Sequence, residues 1–206
     1  MKVLLVNGSP RAEGCTYTAL CEIAGALEKN GVEAEIFQIG AKPIQGCIAC
    51  GKCWEIGKCV FDDEVYTELS EKMLVADGVV IGSPVYFAGA NGSLCALLDR
   101  VFYTSKGKFA HKPAACIVSC RRGGAASAFD RLNKYFTISQ MPVVSSQYWN
   151  AVHGNSPDEV RRDLEGLQIM RTLGNNMAWL VKSIKAGSPP PAPSEQRVMT
   201  SFMDGK

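Results

Sequence analysis

Short apolar runs alternate with segments of helical periodicity along most of this chain. Five buried strands are predicted from the apolar runs at 2–7, 33–39, 78–82, 114–119 and 142–144. Helices are predicted between them at 16–30, 64–76, 92–102 and 125–136. This alternation is typical of a parallel sheet, because each strand reaches its parallel neighbour through a helix that covers one face. We therefore predict an α/β fold with a doubly wound five-stranded parallel sheet, strand order 2-1-3-4-5 and helices on both faces.

The remaining segments divide the chain into one domain and a tail. A last helix is predicted from the Ser156-Pro157 pair to about residue 184, because serine and proline are favoured at the first positions of a helix. Residues 1–186 are thus predicted to form a single domain, with a cysteine loop at 46–60 inserted after the second strand. Residues 187–206 form a proline-rich tail, of which 198–202 is expected to dock on a neighbouring surface.

Composition and charge exclude several classes of protein. The 47% apolar and 20% charged residues are typical of a globular protein, and a net charge of +2 leaves no basic face for nucleic acid. We expect no membrane association, because the apolar runs are far shorter than the ~20 residues of a span. The first residues also lack the pattern of an export signal. Nine cysteines without such a signal are expected to be reduced thiols or metal ligands, which predicts a cytoplasmic protein.

Four cysteines lie within thirteen residues, at Cys47, Cys50, Cys53 and Cys59. One short loop does not bury four thiols for packing alone, so this set indicates a metal centre or redox chemistry. A zinc site normally combines two separated C-x2-C pairs, whereas three cysteines at two-residue gaps and a fourth nearby suit an iron–sulfur cluster. An iron–sulfur cluster, a zinc ion and a metal-free thiol loop all remain open at this point.

The stretch after the first strand has the composition of an anion-binding loop. It reads Gly-Ser-Pro-Arg-Ala-Glu-Gly-Cys-Thr over residues 8–16 and leads directly into a helix. The N–H groups of that helix, the hydroxyls of Ser9 and Thr16 and the Arg11 guanidinium could surround a phosphate. The loop matches neither a Walker A motif nor G-x-G-x-x-G, which disfavours a dinucleotide pyrophosphate. The alternative is a solvated turn capped by Thr16.

Two further loops are expected at the same edge of the sheet, where ligands bind in such folds. Residues 82–89 follow the third strand and residues 119–124 follow the fourth. Their glycines and proline leave backbone amides open, and Val85, Tyr86 and Phe87 could form an apolar wall for a flat ring. Taken alone, the two aromatic residues would more often be packing residues than part of a cofactor site. Three such loops at adjacent strand ends favour a ligand site.

These segments together resemble a known family. The runs Gly8-Ser9-Pro10-Arg11 and Ser83-Pro84-Val85-Tyr86, with the cysteine segment and the following Asp62-Asp63, are similar to the iron–sulfur flavoprotein branch of the flavodoxin-like NAD(P)H-dependent FMN reductase family. The resemblance is good over about 1–150 and loose beyond. It implies a flavodoxin-like fold, bound FMN, NAD(P)H as co-substrate, and a homodimer or homotetramer.

The resemblance also implies roles for individual residues. The FMN phosphate would lie on Ser9, Arg11, Cys15 and Thr16. The isoalloxazine ring would contact the segment after the third strand and the edge of the next loop, namely Ser83, Pro84, Val85, Tyr86, Phe87, Ser119, Arg122 and Gly123. A 4Fe–4S cluster would be bound by Cys47, Cys50, Cys53 and Cys59.

The main hypothesis is therefore an FMN-dependent oxidoreductase. Electrons would pass from a reduced donor through FMN, by way of the cluster, to a small-molecule or ferredoxin-type protein acceptor. No side chain is predicted to act as a general acid or nucleophile, because the flavin carries the chemistry. Two alternatives stay open: a cluster-free NAD(P)H-dependent reductase of FMN, quinones or azo compounds, and a flavodoxin-like electron carrier without turnover. The near-neutral charge disfavours the carrier, since such carriers are usually acidic.

Overall fold

A computed structural model describes residues 1–190 together with 195, 198 and 200. Five parallel strands form its central sheet: β1 (Lys2–Asn7), β2 (Glu33–Gln38), β3 (Gly78–Tyr86), β5 (Ala114–Cys120) and β6 (Ala151–His153). A two-residue strand, β4 (Gly89–Ala90), pairs antiparallel with the end of β3. The strands are ordered β2-β1-β3-β5-β6 across the sheet. Counted by parallel strands alone, this is the predicted order 2-1-3-4-5, so the α/β doubly wound prediction is confirmed.

Helices cover both faces of the sheet. They are α1 (Cys15–Lys29), α2 (Cys53–Ile56), α3 (Glu64–Val75), α4 (Gly92–Ser105), α5 (Ala125–Ile138), α6 (Pro157–Arg162) and α7 (Leu164–Ala186). Alternate residues of each strand point to opposite faces. Leu4 of β1 therefore packs in the cluster formed by α3, α4 and α5, whereas Leu5 packs in the cluster formed by α1, α6 and α7.

The fifth parallel strand lies later in the chain than predicted. The predicted run 142–144 makes one isolated bridge, between Val143 and Ala114, and the strand itself is β6. Between them the chain leaves the sheet, and the Asn150 side chain donates to the carbonyl of Cys116, at 3.1 Å. That bond uses a β5 acceptor that a continuous strand would have paired.

Two other elements differ from the prediction at their ends. Ser83–Tyr86, predicted as loop, extends β3 because Ser83 and Pro84 pair with β5. Pro84 is tolerated there because β1 ends opposite Gly82, so the missing N–H faces no strand on that side. The last helix is divided at Asp163, whose carboxylate accepts from the N–H of Gly166 and thereby starts α7.

Most of the proline-rich tail, residues 187–206, lies outside the residues that the structure describes. Residues 187–190 are exposed, and residues 199, 201 and 202 of the predicted docking segment 198–202 lie outside the described residues. Within the described part of the chain, no helix is both long and apolar enough to cross a membrane.

Candidate functional site

Three loops meet at the carboxyl ends of β1, β3 and β5. The first joins β1 to α1, and its Gly8 N–H donates to the carbonyl of Gly82, on β3, at 2.8 Å. The buried hydroxyls of Thr16 and Ser119 lie 2.8 Å apart, which ties the start of α1 to the end of β5. The sheet therefore brings together the three loops that the sequence predicted as a ligand site.

The amino end of α1 has the features of an anion site. Gly14 is its N-cap, and among the described residues no side chain caps this helix or places an acidic group in its first turn. The Ser9 hydroxyl accepts from the N–H of Arg11 at 3.1 Å, which fixes the turn below the exposed Arg11 side chain. The first N–H groups of a helix without a side-chain cap are left to bind an anion, and the helix dipole favours one.

Two of the predicted site residues, Cys15 and Ser83, form hydrogen bonds within the protein. Cys15 is half-buried, and burial raises the pKa of its thiol, so the thiol stays neutral and adds no negative charge beside this helix end. Its sulfur donates to the carbonyl of Gly154 at 3.8 Å. The Ser83 hydroxyl is buried and bonded to the carbonyl of Pro84 and the N–H of Asn91. It shapes the loop from inside.

Sequence reasoning missed three amides that hold the first loop in place. Asn7 donates to the carbonyl of Ala12 at 3.0 Å, and Gln38 donates to that of Ser9 at 2.7 Å. Asn91 donates to the carbonyl of Gly8 at 2.7 Å. The loop is therefore held from β1, from β2 and from the start of α4, which is the rigidity that a pre-formed binding site requires.

The end of β3 forms a tight hairpin with β4, and its turn has an unusual backbone. Val85 pairs with Ala90 and Tyr86 with Gly89, which leaves Phe87 and Ala88 as a two-residue turn. Both have positive φ, 48° and 61°, as in the type I′ turns that normally carry Asn-Gly. Phe87 is fully exposed, and Tyr86 and the loop residues Arg122 and Gly123 are exposed as well. Such strain in non-glycine residues is concentrated at functional sites.

The hairpin strain makes a testable difference to stability. Replacing Ala88 by glycine should raise the free energy of unfolding by about 1 kcal/mol, because an L-residue in the left-handed region costs about 1–2 kcal/mol. For a domain of this size the melting temperature should rise by about 2–4 °C. Urea denaturation of Ala88→Gly measures this change. The matched control is Ala90→Gly, whose residue pairs in β4, and it should lower stability. Equal changes in the free energy of unfolding for Ala88→Gly and Ala90→Gly would show that the backbone of Ala88 is not strained.

The cysteine segment forms a second site. All four predicted cysteines line a cavity of about 210 Å³, whose other wall includes residues of α4. Cys47 and Cys50 are exposed, and Cys53 and Cys59 are half-buried. Within the described residues, no three potential metal ligands converge on a point where a single ion could be held. The thiols are instead distributed around the cavity.

Helix α4 connects the two sites. Asn91, its N-cap, holds the first loop, and Arg100, nine residues further, contacts Cys59. Nine residues of α-helix span about 14 Å. A single rigid element therefore sets the spacing between the three loops and the cysteine cavity.

Comparison with known proteins gives the family of this chain. The family model described as NADPH-dependent FMN reductase matches residues 1–156. An iron–sulfur flavoprotein of Methanocaldococcus jannaschii is 34% identical over 195 residues, covering 90% of this chain and 100% of its own length. An NADPH azoreductase of a Bacillus species is 28% identical over 185 residues, covering 89% of this chain and 88% of its own.

A solved structure supports the fold. The crystal structure of RosB with a bound 8-demethyl-8-formylriboflavin-5′-phosphate intermediate superposes with a TM-score of 0.75. The alignment covers 100% of this chain and 93% of that one, at 15% identity. At that identity the similarity supports the fold alone.

Proposed function

Because the chain belongs to the NADPH-dependent FMN reductase family, it is a flavin oxidoreductase, and we propose the route that its electrons take. NAD(P)H would deliver them to FMN held at the three loops, and a 4Fe–4S cluster held by the four cysteines would pass them to a small-molecule or protein acceptor. The observation that carries this proposal is the position of the two sites at opposite parts of α4.

The residues around α1 fit the phosphate of FMN. The helix end without a side-chain cap would supply N–H donors, Arg11 a charge-assisted contact and Ser9 and Thr16 hydroxyls. The ring would lie beside the segment Pro84–Phe87, which is half-buried at its start and exposed at its end, with Ser119, Arg122 and Gly123 along its other edge. When bound, FMN accepts two electrons together and releases them singly. The chain's own residues would hold and orient the ring.

The cysteine cavity fits a cubane cluster by its donor set. Such a cluster takes one thiolate on each iron, so its four ligands surround it and do not converge on one ion. The four thiols line one cavity in this way, and the M. jannaschii relative is named for its iron–sulfur content. Backbone amides at Ala49 and Gly51, both with positive φ, turn the segment around that cavity.

We further propose that the protein works as a homodimer or homotetramer in the cytoplasm. Large apolar side chains of the cysteine segment are exposed, including Ile48, Trp54 and Ile56. Exposed apolar groups of this size commonly mark contacts between proteins, here with another copy or a ferredoxin-type partner.

Removing any one of the four cysteine ligands should eliminate the cluster without affecting FMN binding. Single Cys→Ser changes at positions 47, 50, 53 and 59 should abolish the cluster absorbance of anaerobically prepared protein and leave FMN content unchanged, because the flavin loops lie at the other part of α4. The visible spectrum and electron paramagnetic resonance of the reduced protein measure both together. Cys21→Ser, an exposed cysteine outside both sites, is the matched control.

The same preparations decide between this route and its rivals. Similarity to a protein named as an NADPH azoreductase supports NADPH-dependent reduction of azo compounds, which needs no cluster, as the second candidate. Wild-type protein that bleaches its flavin with NADPH but contains no iron or sulfide after anaerobic purification would establish that candidate. Flavin that neither NADH nor NADPH bleaches, yet a ferredoxin reduces, would instead indicate an electron carrier.

A further inference from the structure

Arg100 is a fully buried cation below the cysteine cavity. It lies on α4, and its side chain has no exposed surface. Its Nε donates to the sulfur of Cys59 at 3.3 Å, and its Cζ lies over the ring of Tyr66, 4.7 Å from the ring centre. Long charged side chains are almost never fully buried unless they are paired, so the partners of Arg100 indicate its role.

Those partners come from both ends of the cysteine segment. Nη1 donates to the carbonyl of Gln45, before the first cysteine, at 3.2 Å. Nη2 donates to the carbonyl of Phe61 and to the carboxylate of Asp63, after the last cysteine. One guanidinium therefore closes the segment into a loop. Arginine suits this role because its planar fork presents several donors in a fixed geometry.

Cys59 differs from the other three cysteines in how firmly it is held. Its N–H donates to the hydroxyl of Tyr66 at 3.1 Å, and that hydroxyl donates to Thr104 at 2.9 Å. The buried charge of Arg100 therefore acts on one corner of the cavity. The exposed Cys47 accepts a hydrogen bond from the N–H of Ala49, at 3.4 Å, within its own loop.

We propose that Arg100 is a positioning residue that orients Cys59 and raises the reduction potential of the cluster. The proposal rests on the cluster route proposed above. One-electron reduction adds a negative charge to the cluster, and a buried cation with a hydrogen bond to a ligand sulfur stabilises that charge. The interaction is weakly screened, since the buried guanidinium contacts the sulfur directly. Asp63 opposes it only partly, because its side chain is 43% exposed.

Four substitutions distinguish the positive charge of Arg100 from its hydrogen bonds to both ends of the cysteine segment, which we call the anchor. Arg100→Gln removes the charge and the anchor. Arg100→Lys keeps the charge but loses the planar guanidinium that makes those hydrogen bonds. Asp63→Asn removes the opposing charge while its oxygen still caps α3. Lys58→Gln removes an exposed charge adjacent to Cys59 and is the matched control.

Titration with dithionite, followed by electron paramagnetic resonance, measures the reduction potential of each protein. We expect a shift to more negative potential in Arg100→Gln, to less negative potential in Asp63→Asn, and none in Arg100→Lys or Lys58→Gln. Equal potentials in Arg100→Gln and Lys58→Gln would overturn the proposal. If Arg100→Gln does not accumulate, an unshifted potential in Asp63→Asn overturns it.

Cleavage by chymotrypsin after Trp54 in the iron-free proteins tests the anchor without a cluster. Both Arg100 variants should be cleaved about tenfold faster or more, because charge-assisted hydrogen bonds close the segment, whereas Lys58→Gln should match the wild type. Unchanged cleavage would refute the anchor. A wild-type protein without any cluster would refute the effect on potential together with the proposed route, while the cleavage rates still decide the anchor.

Discussion

Replacing Gly8 by alanine is expected to abolish retention of FMN during purification. A Cβ at this position would lie 2.5 Å from the carbonyl oxygen of Gly82 and 2.4 Å from Cδ2 of Leu94. The first contact is with backbone of the central strand, which cannot move aside as a side chain does. Gly8 is also held on both sides, by its N–H bond to Gly82 and by the bond from Asn91 to its carbonyl.

The loop must therefore move, and its N–H groups move with it. Overpacking of this kind costs about 1–3 kcal/mol. We expect the Kd for FMN to rise roughly hundredfold, the equivalent of about 2.7 kcal/mol. Fluorescence titration of the apoprotein with FMN measures this change.

Gly25→Ala is the matched control for Gly8→Ala. Gly25 lies within α1, and a Cβ there would meet nothing within 4 Å. Alanine in a helix interior is favoured over glycine by about 1 kcal/mol, so this variant should bind FMN normally and be more stable. Normal FMN affinity in Gly8→Ala would show that the first loop does not hold the cofactor.

The loops could be predicted from sequence because their signals are local. Each directly follows an apolar strand, and each concentrates glycine, proline and hydroxyl side chains within a few residues. Strand order followed from the alternation of strands and helices and from the handedness of the crossovers. The cysteine set was evident from its spacing alone.

The residues that hold those loops carry no local signal. Asn91 reaches Gly8 from 83 residues away, and Gln38 reaches Ser9 from 29 residues away. Arg100 follows a leucine-rich run and has the periodicity of an ordinary helix-surface charge. Its burial results from contacts with 45–63. These partners are brought together only by tertiary packing, so propensity and spacing do not reveal them.

Asn91→Ala is expected to lower the free energy of unfolding by about 2–4 kcal/mol. Its Oδ1 caps α4 by accepting from the N–H of Ser93, and loss of such a cap costs about 1 kcal/mol. Its Nδ2 donates to the buried carbonyl of Gly8. An unpaired buried carbonyl costs about 1–3 kcal/mol more. Urea denaturation measures the total.

Serine at the same position divides the two contributions. Asn91→Ser keeps a good N-cap but has no group that reaches Gly8, so it should lose only the second part, about 1–3 kcal/mol. Asn175→Ala removes an exposed amide contact with Asn30 and should change stability by less than about 0.5 kcal/mol.

The Gly8 carbonyl belongs to the same loop as the proposed phosphate donors, so both Asn91 variants should also bind FMN more weakly than Asn175→Ala. If the serine variant were as stable as the wild type and bound FMN as tightly, the cap alone would account for Asn91, and α4 would not couple to the first loop.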